Sequence, residues 1–401
     1  MTKALSPATL RLRAPLDRLP APAWEIIRGR TIMVPQHGNP NEAEGVLNPA
    51  SARTPDGTTL LFPRIVAKGN RSAISVVRVL RDPLGEPLSV QRMGVALEPD
   101  KPWEQNARTA GVEDGRITRI DALGLHVMTY TAYGPLGPRI WILTSDNLMD
   151  WRRVGPVTFQ FDPRLGTDLN LVHNKDGVFF PEPVPGPDGR PSFALIHRPD
   201  WEFPNRGGVA RGRGRRREQD KMVARGLEPR PGMWISYVAV EDVAGDVRKL
   251  THFTDHRLIA TSEMPWEGLK IGAGPPPVRV PEGWLLVYHG VEGTITEGVD
   301  QQPGVRYCAG AMILDAADPS LVIARTRTPL LRPQRASERV GTVGNVVFPT
   351  AIEPRPDGAF DLFYGAADST IAAAVLRPIG GGTRPHRDRQ VRTVAEGTRA
   401  L

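Results

Sequence analysis

The residues of most chemical interest are Asp114, Arg198, Lys270, His289 and Asp368. An aspartate can give or take a proton, and arginine, lysine and histidine can hold an anion. Each lies at a corresponding point of one composite pattern that recurs along the 401-residue chain. Taken singly, each reads equally well as a solvated loop charge or as half of a buried ion pair. Recurrence at corresponding points is what singles them out.

The pattern opens with a Pro- or Gly-containing approach, runs into a β-rich stretch, turns at Gly or Asp, and ends in an aliphatic–aromatic strand. Its first copy runs from Asn48-Pro49 through Pro55-Asp56-Gly57 to residues 60–64. The second starts at Glu113-Asp114-Gly115-Arg116 and reaches 126–131. The third starts at Lys175-Asp176, turns at Pro187-Asp188-Gly189 and ends at 194–199. The fourth runs from Lys270-Ile271-Gly272-Ala273-Gly274 to 285–290, and the fifth from 346–349 through Pro356-Asp357-Gly358 to 362–368. Further short β-like runs follow, as at 139–143 and 371–375. Turn signals between period-2 apolar runs read as hairpins. Five such sheets set radially make an all-β, five-bladed β-propeller with a central substrate cavity, protected at its edges by closure. Long amphipathic helical patterns are scarce, which disfavours a doubly wound α/β fold. A pair of β-sandwiches accounts less well for five similar units.

Composition narrows the class. No apolar run approaches the roughly 20 residues needed to span a bilayer, and residues 1–16 lack the apolar core of a signal peptide. The single cysteine, Cys308, excludes an intrachain disulfide framework and fits a reducing cytoplasm. It reads as a small core residue. The eight histidines show no metal-ligand spacing, so no metal is expected. The formal charge of +7 is uneven: Arg206, Arg211, Arg213, Arg215, Arg216, Arg217 and Lys221 crowd one stretch, and Arg384, Arg387, Arg389 and Arg392 another. Two solvated segments explain this better than nucleic-acid binding. The expected organisation is an extension over 1–44 packing on the propeller, a catalytic domain over 45–378 with a mobile basic insertion at 205–221, and a disordered tail over 379–401.

Several stretches resemble glycoside hydrolase family 130, the β-mannoside phosphorylases and related mannosidases. They are Lys270-Ile271-Gly272-Ala273-Gly274-Pro275-Pro276-Pro277, then 283–290, Gly344-Asn345-Val346-Val347-Phe348-Pro349, and Tyr364-Gly365-Ala366-Ala367-Asp368. Asn48-Pro49-Ala50 and Ile196-His197-Arg198-Pro199 add weaker support. The resemblance covers about 45–376 and implies a five-bladed propeller binding sugar at its centre. The family's acid motif resembles Glu-Asp-Pro-Arg, here Glu113-Asp114-Gly115-Arg116, so Asp114 resembles the general acid. Gly115 departs from the family's proline, which loosens the backbone beside that carboxylate. By motif, Arg198, Lys270 and His289, with the adjacent Tyr288, match phosphate binders. Asn48, Arg64 and Asp368 match the mannosyl subsite.

A phosphorylase needs no water-activating carboxylate, because phosphate is already an anionic nucleophile; it needs a cationic pocket. The basic set therefore favours phosphorolysis, inverting, with inorganic phosphate as co-substrate and no cofactor. By resemblance, Asp114 passes its proton through a mannose hydroxyl. An inverting hydrolase drawing on Glu113, Glu182 or Glu263 is the nearest alternative, and a non-catalytic carbohydrate-binding propeller the next. Partners are expected to be a β-mannoside and phosphate, with neither nucleic acid nor membrane, and the outer surface could pair into a homo-oligomer. Trp103 and Trp266 are candidates to bound an acceptor subsite.

Overall fold

A computed structural model describes residues 19–105, 110–165, 167–200, 232–294 and 304–380. The basic insertion expected at 205–221, and nearly all of the tail expected from 379, lie outside the described residues.

The pairing resolves into five antiparallel four-stranded units. Blade 1 runs Gly45–Arg53, Thr59–Ala67, Arg71–Arg81, Pro87–Leu97. Blade 2 runs Ala110–Ile120, Leu125–Gly134, Gly137–Ser145, Arg152–Pro156. A short parallel contact of Arg71 and Ser72 with Ala110 and Gly111 joins these two. Blade 3 runs His173–Phe179, Pro191–Asp200, Gly232–Ala239, His252–Thr261. Blade 4 runs Lys270–Ala273, Gly283–Gly293, Val305–Leu314, Val322–Arg325. Blade 5 takes Val347–Pro354, Phe360–Ala366 and Thr370–Pro378 from one end of the chain, and Trp24–Met33 from the other. Residues 24–33 are thus the outermost strand of a blade, whereas the sequence reading put them in an extension packed on the propeller. The inner strands of blades 1 to 4 touch in turn, and that of blade 5 packs on Gly283–Gly293 and Val305–Leu314 of blade 4 and on Gly45–Arg53 of blade 1, which closes the ring.

Local chemistry explains the hairpins. Pro55-Asp56-Gly57, Pro187-Asp188-Gly189 and Pro356-Asp357-Gly358 each put glycine at positive φ (+86°, +83° and +81°), which costs a residue without Cβ little. Second strands sit between neighbouring blades and are buried on both faces, so they read as unbroken apolar runs and not as alternation.

Four blades share a buried clamp. Glu42, Glu104, Glu267 and Glu338 stand in the segments entering blades 1, 2, 4 and 5, all nearly or fully buried. Each holds an arginine of its blade's outermost strand: Arg92, Arg153, Arg325 and Arg28. In the last three a second-strand tyrosine adds its hydroxyl, with Tyr130, Tyr288 and Tyr364 donating to Glu104, Glu267 and Glu338 at 2.6, 2.6 and 2.8 Å. Blade 3 uses neutral groups instead. His256 Nε2 bonds the carbonyl of Gln160 (2.8 Å), its Nδ1 meets Ser236 Oγ (2.8 Å), and Ser236 meets His197 Nε2 (2.8 Å). Asn174 Nδ2 closes the chain on His197 Nδ1 at 3.0 Å. The Gln160 carbonyl can only accept, so every link takes a single direction with both rings neutral.

Candidate active site

Three inner strands carry the same irregularity. Their ladders skip between Leu47 and Ala50, between Glu113 and Arg116, and between Lys175 and Val178. The first skipped residue is left-handed each time: Asn48 (φ 45°), Asp114 (φ 49°) and Asp176 (φ 56°). Such bulges re-aim a side chain that a regular strand would hold against its neighbours. Asn and Asp tolerate this backbone better than other residues with a Cβ. Asp368 (φ 47°) reaches the same region from the turn between Phe360–Ala366 and Thr370–Pro378.

Asp114 is the centre of one group. Its Oδ1 accepts from Asn48 Nδ2 at 2.9 Å and lies 3.5 Å from Arg64 Nη1. Arg64 Nη2 also donates to Glu113 (2.9 Å), and its Nε to Ser72 (2.7 Å). Lys175 Nζ lies 3.3 Å from the second oxygen of Glu113. Burial pushes Asp114 upward, but the charges of Arg64, Arg116 and Lys175 outweigh it and hold the carboxyl below its usual range. Asp368, half-buried close by, goes the other way. Burial leads, the charges of Asp114 and Glu113 add to it, and the opposing pull of Arg64 and Lys270 leaves it near 6.

Asp176 is the centre of a second group. Arg198 Nε donates to its Oδ2 at 2.7 Å, and His289 Nε2 stands 3.7 Å from the same oxygen. Arg198 and His289 hold Asp176 far below the carboxylate range in spite of its burial. Burial drives His289 down to about 3, so the ring is neutral. Lys270 Nζ lies 5.5 Å from the centroid of the Tyr307 ring, which stacks beside His289 at 6.3 Å. Gly272 makes the meeting possible: a Cβ there would fall 2.3 Å from Asp176 Oδ2 and 2.4 Å from His289 Cε1.

Arg116 joins the groups. It is buried, and donates from Nη1 to the carbonyls of Asp114 (2.7 Å) and Gly115 (3.1 Å) and from Nε to Gly274 of blade 4 (2.8 Å). Burial lowers its pKa, against the fields of Asp114 and Asp176. The backbone beside Gly115 is therefore fastened by a side chain.

Asn48, Arg64, Asp114, Arg198, Lys270, His289 and Asp368 thus fall within one cluster. Tyr288 does not. It is fully buried in the blade core, with its hydroxyl on Glu267 and Arg325, because strand alternation turns it away from its neighbour His289. Trp266 is likewise a core residue, donating to the carbonyl of Arg327, and Trp103 stacks on Trp141 with centroids 4.5 Å apart. The sequence reading named Glu113 only as an acid for the hydrolytic alternative and gave no role to Arg116, Lys175, Asp176 or Tyr307. The repeat offered a signal for Asp176, since Asn48-Pro49, Asp114-Gly115 and Asp176-Gly177 open three copies in the same way. Among the described residues no group of three His, Cys, Asp or Glu could hold a metal ion, and no helix is long and apolar enough to cross a membrane.

Fold and cluster together describe a β-propeller with a charged site where its inner strands meet. A family model for glycoside hydrolase 130, described as beta-1,4-mannooligosaccharide phosphorylase, matches residues 222–378. A 1,2-beta-oligomannan phosphorylase of Thermoanaerobacter sp. (strain X514) is 29% identical over 69% of this chain and 73% of its own. A beta-1,2-mannobiose phosphorylase of the same organism is 31% identical over 66% of this chain and 67% of its own. The solved beta-1,2-mannobiose phosphorylase of Listeria innocua superposes with a TM-score of 0.61 at 22% identity, covering 88% of this chain and 97% of that one. The chain belongs to glycoside hydrolase family 130.

Proposed function

We propose that the protein cleaves β-mannosides with inorganic phosphate, inverting the anomeric carbon and releasing α-mannose 1-phosphate. The observation that carries this reading is the gathering of Arg198, Lys270 and His289 about Asp176 and Tyr307, beside the Asp114 group. Two relatives over most of the chain are named as phosphorylases of β-1,2-linked mannosides.

A phosphate oxygen forms the new bond to the anomeric carbon while the bond to the leaving oxygen breaks, and the leaving oxygen takes a proton originating on Asp114. Arg198 and Lys270 hold the phosphate and neutral His289 orients it; Asn48, Arg64 and Asp368 hold the mannosyl unit. Holding both reactants supplies proximity without further entropic loss. Unliganded Asp114 is ionised, so the substrates must load it. A phosphate dianion adds negative charge beside Lys175 and Arg116, and sugar hydroxyls compete for Arg64. Both raise the affinity of Asp114 for a proton. Phosphate is a substrate here, no cofactor enters the reaction, and the cytoplasm is the compartment that supplies it.

Of the acids a hydrolase would draw on, Glu113 is held by Arg64 and Lys175, Glu263 accepts from Thr261 Oγ1, and Glu182 is exposed. A hydrolytic reading keeps one support, Asp368, whose raised affinity for protons suits a base. The test is release from β-1,2- and β-1,4-mannobiose and mannosyl-glucose with and without phosphate. Phosphate-dependent α-mannose 1-phosphate is expected; free mannose regardless of phosphate would overturn the reading.

A further inference from the structure

We propose that Asp176 is the positioning residue of the anion site, fixing the guanidinium plane of Arg198 and the ring of His289 so that both face one phosphate. The inference rests on the phosphorylase reading and adds a residue to it. Asp176 occupies in blade 3 the bulge position that Asp114 occupies in blade 2, so the fold aims two aspartates inward by one device. Their surroundings separate their roles. Asp114 faces Asn48 and Arg64, whereas Asp176 binds Arg198 at 2.7 Å and stands 3.7 Å from His289.

Arginine is a planar fork of five donors. Among the described residues Asp176 engages Nε alone, which sets the plane and leaves both Nη groups for oxygens of a tetrahedral anion. Arg198 needs such a hold because it lies near the end of its strand, Pro191–Asp200. Its guanidinium is itself buried with Asp176, the two side chains being 8% and 6% exposed. The absent side chain at Gly272 supplies the space in which Asp176 and His289 approach each other.

Simple electrostatics and positioning predict opposite signs. If Asp176 were only a counter-charge, removing it would make the pocket more positive and tighten phosphate. If it positions Arg198, removing it loosens phosphate although the pocket has gained positive charge. The experiment is phosphorolysis of β-1,2-mannobiose by the full chain, with phosphate and mannoside varied in turn, for Asp176→Ala, Arg198→Ala and the double variant. Thermal melts confirm that each variant is folded. Expected for Asp176→Ala is a KM for phosphate raised tenfold or more, with the KM for mannobiose within about twofold. In the Arg198→Ala background the Asp176→Ala change should add less than about twofold, as for two residues acting through one contact. Asp176→Asn, which keeps an acceptor for Nε, should recover part of the loss. Unchanged or tightened phosphate, or additive effects in the double variant, would overturn the assignment and leave the phosphorylase reading standing. A wild-type enzyme indifferent to phosphate would remove both.

Discussion

Asn48 Nδ2 donates to Asp114 Oδ1 at 2.9 Å, and both residues owe their direction to the same left-handed bulge in adjoining blades. The amide offers no charge, so it orients the carboxylate without adding to the cationic field of Arg64, Arg116 and Lys175. Asn48 is itself wedged against blade 5: a Cβ on Gly365 would lie 2.2 Å from its Oδ1. Three blades therefore cooperate in placing one carboxylate.

Asp114→Asn tests the chemical role. The main-chain bonds from Arg116 to residues 114 and 115 do not involve the carboxylate, so the fold should persist. Loss of a positioned proton donor is expected to lower kcat by about 10²–10⁴. Rates of α-mannose 1-phosphate formation, with a melting curve as control, check it.

Gly115→Pro should be tolerated. Asn48 precedes Pro49 in the equivalent bulge with nearly the same φ, so the backbone already accommodates proline there. Stiffening the unfolded chain should stabilise by about 0.4–1 kcal/mol, and kcat should change less than about threefold. A kcat loss of a hundredfold would mean that the two bulges are not equivalent.

Tyr288→Phe separates a core role from a ligand role. It strips the donor from Oε1 of buried Glu267, while Oε2 keeps Arg325 and the main-chain N–H groups of Glu263 and Met264. Destabilisation of about 1–3 kcal/mol is expected in chemical denaturation, with the KM for phosphate unchanged.

Asp368 and the buried histidines act on stability with opposite signs. The folded state holds Asp368 near 6, above the usual carboxylate, so it binds a proton that the unfolded chain has already lost. This contribution is present at low pH and disappears as pH rises from about 4 through about 6. Asp368→Asn should therefore melt higher than wild type at pH 7.5 but not at pH 4, while binding mannoside more weakly.

His197, His256 and His289 go the other way, each held below its ordinary pKa first by burial. Below about 6.5 the unfolded chain takes up protons that these rings refuse, so their contribution is present above that pH and is lost as pH falls. His256→Gln should flatten the decline of melting temperature between pH 7 and pH 5, and an unchanged slope would rule out the blade 3 chain as its source.

The sequence exposed the repeat, and with it the all-β fold, because turn chemistry is local: Pro-Asp-Gly marks three hairpins by itself. It exposed Asp114, Arg198, Lys270 and His289 because each stands within a recurring unit, on the first or second strand of its blade. The clamps were present as Pro102-Trp103-Glu104 and Pro265-Trp266-Glu267, yet their partners Arg153 and Arg325 lie about 50 to 60 residues away, where no local pattern links them. Tyr288 misled for a related reason. Adjacent strand residues face opposite sides, so proximity to His289 in sequence argues against a shared site. Asp176 was hidden by its neighbour, since a carboxylate beside lysine reads as a surface pair until the bulge turns it inward.

The joining of Trp24–Met33 to Thr370–Pro378 has a consequence for how the molecule is made. Ile27 pairs with Val375, so the last ladder joins residues nearly 350 positions apart. During synthesis the early strand must wait, unpaired along one edge, until almost the whole chain has emerged. Blades 1 to 4 can form in order from nearby segments, but ring closure is the step of greatest sequence separation and should set the pace of folding. The exposed apolar side chains of Ile27 and Val34 lie in or just beyond that waiting strand, which makes the nascent chain, more than the finished protein, the species most prone to aggregate.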